Sequence, residues 1–330
     1  MSDTVLKNGQ PWYDTDGNVI HAHGGWMLKV GEYYYWYGEN RTENRFVSCY
    51  RTRDFRSFEF RNHVLTADSP TSASYVVKAD LSLKTRVEEV PSGGLARIDG
   101  EGLLLANIER PKVLYCKATG KYVMWMHYEN GKDYLSAACA VASCDTPDGD
   151  FVYHGSFRPF GNMARDCTVI QCGDDAYFAA SARDNRDLYV YRMTEDYLSV
   201  EDVVKILFQN QSREAPAFFA RDGQHYVLTS ACTGWKPNQG SVAVSREGSL
   251  GGRWSLLFPF GDVTTFDSQP SFVLPIENGN KTEYYYFGDR WGGNGALYFD
   301  STYVVCKIRF DRQGMPYIEY SEDAQLPFLE

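Results

Sequence analysis

The sequence is most informative at first through what it lacks. None of its eight cysteines forms a Cys-x-x-Cys pair, which removes the usual spacing of a structural zinc site. Cys49, Cys116, Cys139, Cys144, Cys167, Cys172, Cys232 and Cys306 are expected to be reduced, small apolar core residues. No run of 18 apolar residues occurs, and residues 1–7 carry no apolar stretch of the kind a secretory leader needs. The expectation is a soluble, cytoplasmic protein. Positive charge is in deficit, with 33 Lys and Arg against 43 Asp and Glu and a net charge of −10. That balance argues against nucleic acid and anionic membranes as partners, and favours a neutral substrate. Helical periodicity is scarce as well; Leu198–Leu207 is the best candidate, and it is short.

Aromatic residues are abundant, with 24 Tyr, 19 Phe and 7 Trp. Such an excess points to cross-strand ring pairs or to a carbohydrate-contacting cleft. The strand-like runs repeat. His21–Glu39 reads as two strands around a turn at Lys29–Glu32, followed by Val47–Thr52 and Phe58–Phe60. Comparable hairpins start at Glu109, Arg165, Arg213 and Ser268, roughly 50 residues apart. The hairpin at 212–230 is the clearest, with a tight turn at Asp222-Gly223. Five units of about four strands predict an all-β fold, a five-bladed β-propeller formed by residues 1–330 as a single domain. A pair of β-sandwiches is the competing arrangement, and the repeated hairpins disfavour it. One long insertion, at about 64–108, interrupts the series between the first two units and is expected to form a lid or rim.

The starts of units two to five align as Glu109-Arg-Pro, Arg165-Asp166-Cys, Arg213-Glu214-Ala-Pro and Ser268-Gln269-Pro. In a propeller the innermost strands line the central channel, so these starts converge at one mouth of it. A single polar residue there is ordinarily a turn residue. Four at equivalent positions, three of them carboxylic, suit glycoside cleavage. An inverting mechanism needs one protonated acid at the leaving oxygen and a group on the opposite face to orient water. A second carboxylate near the acid keeps the proton on by like-charge repulsion. Trp36, Trp125, Tyr128, Trp235 and Trp291 offer flat faces for sugar rings. Trp235 and Trp291 lie in Gly-rich loops, the latter beside Arg290, and are the better contact candidates.

The ordered set Asp14-Thr-Asp-Gly, Ala22-His-Gly-Gly, Tyr35-Trp-Tyr-Gly-Glu, Glu109-Arg-Pro-Lys-Val, Arg165-Asp, Arg213-Glu-Ala-Pro and Asp267-Ser-Gln-Pro resembles glycoside hydrolase family 43. Within that family it resembles the exo-β-1,3-galactanase branch. The resemblance spans all five units apart from the insertion. It implies an inverting exo-glycosidase that releases terminal galactose from β-1,3-galactan, with galactan and arabinogalactan oligosaccharides as partners. It also implies Glu214 as general acid, Asp166 as the carboxylate that tunes and orients it, and Glu109 as a pocket carboxylate. Glu39 would be another sugar contact, and Gln269 would stand where water is oriented. Independently of the resemblance, His23 joins the ring of polar residues from the first unit and is read as a sugar contact.

One departure matters. Most of the family carries an Asp general base at the start of the first inner strand, where this chain reads Ile20-His-Ala-His-Gly. Asp14 and Asp16 lie upstream in a turn-like segment and are read as structural. Either Gln269 acts in an unusual tautomer, or it positions the water while Glu109 takes the proton. An α-L-arabinofuranosidase or β-xylosidase is the alternative within the family, and a catalytically silent sugar-binding propeller the alternative outside enzymes. No cofactor is expected. A structural cation in the central channel is compatible with the resemblance, with His23 and His127 as the residues to watch, but no ligand cluster demands it.

Overall fold

A computed structural model describes residues 5–73, 79–89 and 96–326. Blade one contains β1 (His23–Val30), β2 (Tyr33–Glu39), β3 (Arg45–Thr52) and β4 (Glu59–Thr66). The short pair β5 (Lys84–Thr85) and β6 (Leu104–Leu105) belongs to the insertion. Blade two contains β7 (Asn107–Cys116), β8 (Lys121–Glu129), β9 (Ala138–Cys144) and β10 (Val152–Phe157), and blade three β11 (Cys167–Cys172), β12 (Asp175–Ala182), β13 (Asp187–Met193) and β14 (Val200–Leu207). Blade four follows with β15 (Arg213–Arg221), β16 (Gln224–Ala231), β17 (Gly240–Ser245) and β18 (Phe258–Phe260). Blade five comprises β19 (Gln269–Asn278), β20 (Lys281–Arg290), β21 (Thr302–Phe310) and β22 (Pro316–Ile318).

Each blade is a four-stranded antiparallel meander, and β1, β7, β11, β15 and β19 contact one another around the axis. The fold is a five-bladed β-propeller. The aromatic excess is explained by its packing. Side chains alternate across a strand, and here both faces of a blade are covered by neighbouring blades. In β2, Tyr34 and Trp36 enter the core shared with blade five, while Tyr35 and Tyr37 enter the core shared with blade two. In β20, Tyr285 and Phe287 pack towards blade one, and Tyr284 and Tyr286 towards blade four.

Several expectations need correction. The helix candidate Leu198–Leu207 is the outer strand β14. Its Val200, Val203, Val204 and Ile206 are stiff at χ1 and fit a pleated surface better than a helix. Register shifts opposite β13 absorb the imperfect alternation. The insertion follows β4, which continues to Thr66. Its described residues are no lid. Thr71 bridges Tyr153 and Asp80 bridges Ser156, so the insertion covers the outer edge strand β10 of blade two. The Pro91–Gly94 stretch lies outside the described residues. All eight cysteines are free; Cys49, Cys116, Cys139, Cys167 and Cys306 are buried, but Cys232 is exposed.

Candidate active site

The inner strands do not begin as regular ladders. β1, β7, β15 and β19 each carry a register shift within their first residues. In three of them a residue adopts positive φ, at Gly24 (56°), Arg110 (51°) and Ala215 (52°). A bulge of this kind bends the strand and re-aims its side chains. Here it turns the first residues of the inner strands towards the axis. Asp166 reaches the same place by another route: it directly precedes β11, and its carbonyl accepts the N–H of Ser181.

These groups converge on one cavity of about 270 Å³. Of the residues singled out in the sequence, Glu39, Glu109, His127, Asp166, Glu214, Trp235, Gln269 and Trp291 line it. Three others do not. His23 is fully buried behind the wall, stacked on Tyr303 at 4.9 Å, with Nδ1 3.2 Å from Asp289 Oδ1. Tyr128 is a core residue whose hydroxyl donates to the Ser82 carbonyl at 2.8 Å, tying blade two to the insertion. Arg290 lies in a neighbouring, smaller recess and donates to the Phe266 carbonyl at 2.8 Å. Trp36 and Trp125 are likewise interblade core residues. For Trp36, Trp125 and Tyr128, a burial that continuous aromatic runs cannot report is the reason: both faces of a blade are inside.

Glu214 and Gln269 touch directly, with Gln269 Nε2 donating to Glu214 Oε1 at 3.1 Å. Asn185 Nδ2 donates to the other carboxyl oxygen at 3.3 Å. Burial, and then the Asp166 charge, push the Glu214 pKa up to about 8 against the opposing pull of Arg110. Asp166 Oδ2 accepts the N–H of Ala215 at 3.0 Å and pairs with Arg110 Nε at 2.8 Å. The amide of Gln269 is fully engaged. Its Oε1 accepts from Arg110 Nη2 (2.6 Å) and Trp291 Nε1 (3.0 Å), while Nε2 also donates to Ser230 Oγ (3.1 Å).

Across the cavity, Arg41 Nη2 donates to Glu39 Oε2 at 3.1 Å and to Glu109 Oε1 at 2.8 Å, and Tyr134 donates to Glu109 Oε1 at 2.7 Å. His127 stands between Glu109 (Nδ1 to Oε2, 3.0 Å) and Glu129 (Nε2 to Oε1, 2.9 Å). Burial alone would lower its pKa, but the two carboxylates push it up to about 10. Burial likewise works to raise Glu109, yet His127 and Arg41 hold it well below the usual carboxylate range. The ligand atoms of Glu109, His127 and Asp166 lie within 4.8 Å of one another. Each of the three already has a protein partner: Arg110 pairs with Asp166, and His127 stands between Glu109 and Glu129.

Sequence reasoning missed Arg41, Arg110, Tyr134, Arg165 and Asn185 as cavity residues. A signal existed for Arg110 and Arg165, which stand beside an acid in the aligned strand starts. Asn185 had none, because it arrives on the β12–β13 turn, where Arg183, Asp184 and Asn185 all have positive φ.

The sequence pattern of glycosyl hydrolases family 43 matches residues 111–256. Among solved structures, an exo-β-1,3-galactanase from Clostridium thermocellum is 41% identical over 97% of this chain and 67% of that one, with a TM-score of 0.82. An exo-β-1,3-galactanase from Phanerochaete chrysosporium, in a variant solved with β-1,3-galactotriose, is 28% identical over 96% of this chain and 67% of that one, with a TM-score of 0.79. A β-1,3-galactosidase solved with galactodeoxynojirimycin is 28% identical over 96% of this chain and 99% of that one, with a TM-score of 0.80. A comparison with curated proteins gives no match.

Proposed function

The chain belongs to glycoside hydrolase family 43, and on that premise we propose that it releases terminal galactose from β-1,3-linked galactan by an inverting, exo-acting mechanism. The observation that carries this reading is the convergence of Glu214, Asp166, Glu109 and Gln269 on one cavity, in a chain 41% identical to an exo-β-1,3-galactanase. Glu214, a carboxyl held at about 8, keeps its proton near neutral pH and can deliver it to the glycosidic oxygen. Asp166 supplies the like charge and, through the Ala215 N–H, fixes the backbone next to the acid.

The direct contact between Gln269 and Glu214 leaves no gap for a sugar between them. A galactose in position must separate the pair. That frees Glu214 for the leaving oxygen and Gln269 Nε2 for the attacking water, while Arg110 and Trp291 keep the amide oxygen in place. Gln269 donates both Nε2 hydrogens and keeps its nitrogen lone pair in the amide, so it orients the water and has no site for the proton. Glu109 is the carboxylate that takes it, a weak base because His127, Arg41 and Tyr134 stabilise its anion. Glu39 presents a fixed acceptor to sugar hydroxyls, and Trp235 and Trp291, edge-to-face at 4.9 Å, form an aromatic wall.

Incubation with β-1,3-galactobiose and β-1,4-galactobiose tests the assignment. Galactose release from the β-1,3 compound is expected; cleavage confined to the β-1,4 compound overturns the linkage. Glu214→Gln is expected to abolish turnover, a loss of at least about a thousandfold, while calorimetry still detects binding of the disaccharide.

A further inference from the structure

Lys112 is a fully buried lysine that the proposed chemistry does not use. It sits on β7 three residues after Glu109 and projects across the axis to blade one. Its Nζ donates to the carbonyls of Gly24 at 2.6 Å and Gly25 at 3.0 Å. Asp289 and Glu39 act on it through space, without a salt bridge, and burial pushes its pKa down to about 7. In either protonation state the nitrogen has enough donors for both carbonyls. Burying an amine without a paired carboxylate opposes folding, and hydrogen bonds to two buried carbonyls offset that cost. A buried lysine kept for two carbonyls calls for a reason to hold them.

The reason lies in what its two acceptors support. Gly24 and Gly25 form the β1 bulge. The Gly24 N–H donates to Asp289 Oδ2 at 3.0 Å, and Ser271 Oγ donates to the Gly25 carbonyl at 3.4 Å, so blades two and five hold the bulge from both sides. Gly24 adopts φ 56°, and a Cβ built on it would lie 2.6 Å from Glu39 Oε1. The bulge backbone is therefore the surface against which the Glu39 carboxylate rests, and a small shift of that backbone moves the carboxylate. We propose that Lys112 is a positioning residue for Glu39, fixing the bulge so that Glu39 presents its carboxylate to a galactose hydroxyl. This rests on the reading that Glu39 contacts the sugar.

The test uses Glu214→Gln as a non-turnover parent and adds Lys112→Met, which keeps the length and removes both donors. β-1,3-Galactobiose affinity is measured by calorimetry and thermal stability by melting. Two buried carbonyls lose their donor, so the double variant is expected to melt below the parent and to bind at least about fivefold more weakly. Asn8→Ala in the same parent removes hydrogen bonds to the Val305 backbone, far from Glu39, and is expected to lower the melting temperature and keep the parent's affinity, so lost stability alone does not produce the weaker binding. Affinity of the Lys112→Met variant within about twofold of the parent, or an equal affinity loss in the Asn8→Ala variant, overturns the proposal. A Glu214→Gln parent that binds no β-1,3-galactobiose counts against the proposed substrate instead.

Discussion

Arg110 shows how much of the cavity depends on single residues. Its main chain adopts φ 51°, its N–H donates to Glu39 Oε1 at 3.1 Å, and its guanidinium reaches Asp166, Gln269 and the Pro270 carbonyl. It thereby connects the carboxylate beside the acid with the amide opposite, and a non-glycine residue at that φ is tolerated because four partners over-determine it. Asp166 is the residue whose charge can be tested cleanly. As the proposed acid, Glu214 donates only when protonated, so kcat/KM is expected to fall as pH rises through its pKa of about 8. Removing the like charge in Asp166→Asn lowers that pKa, and the alkaline limb of the pH–rate profile is expected to move to lower pH by about one unit. A limb that stays in place would show that burial, the larger cause, sets the value alone.

Elements divide into those that build the mouth and those that seal the outside. The inner hairpins build the mouth, and their bulged starts supply Glu109, Glu214 and Gln269. The insertion belongs to the second group. Its contacts with β10 and with Tyr128 close an edge strand and cover the core between blades one and two, where Leu83 packs. Tyr128→Phe removes one hydrogen bond and keeps the ring. It is expected to cost about 1 kcal/mol of stability, seen as a lower melting temperature, and to leave kcat/KM within about twofold. A large loss of activity would return Tyr128 to the site. The hairpin at Arg213–Ala231 was legible because Asp222-Gly223 is a strong turn signal and its flanks alternate. β14 was not, because its run of apolar residues fits a helix or a bulged strand equally well until β13 lies beside it.

For the molecule as a whole, the problem is closing the ring. Every blade is built from consecutive strands, so among the described residues no shared strand joins the last blade to the first. The N-terminal segment performs that task. Lys7 bridges Asp323, and the Asn8 N–H donates to the Glu322 carbonyl at 2.8 Å. The Asn8 amide donates to the carbonyls of Val305 and Ser321, both at 3.0 Å, and accepts the Val305 N–H at 2.7 Å. Asn8→Ala leaves these backbone groups unpaired in a buried place. The expected loss is about 2–4 kcal/mol, read as a melting temperature several degrees lower. KM should not change, because the cavity lies at the axis and the clasp at the rim. The interblade cores of Trp12, Trp36, Tyr285 and Tyr303 make this closure cooperative with the first and last blades.

The sequence by itself determined the five hairpin units, the all-β class, and the polar residues that stand at equivalent strand starts. It could do so because turn chemistry and period-two patterning are local, and because a repeat displays the same local solution five times. Local pattern also carried Glu214, Asp166, Glu109 and Gln269 to one end of the barrel of inner strands. Only the tertiary structure decided which aromatic rings line the cavity and which face a neighbouring blade, since Trp36 and Trp291 differ in surroundings and not in type. It also decided protonation. Whether a carboxyl sits at about 8, as Glu214 does, or far below its usual range, as Glu109 does, depends on burial and on charges contributed from other blades. Those distances exist only once the ring has closed.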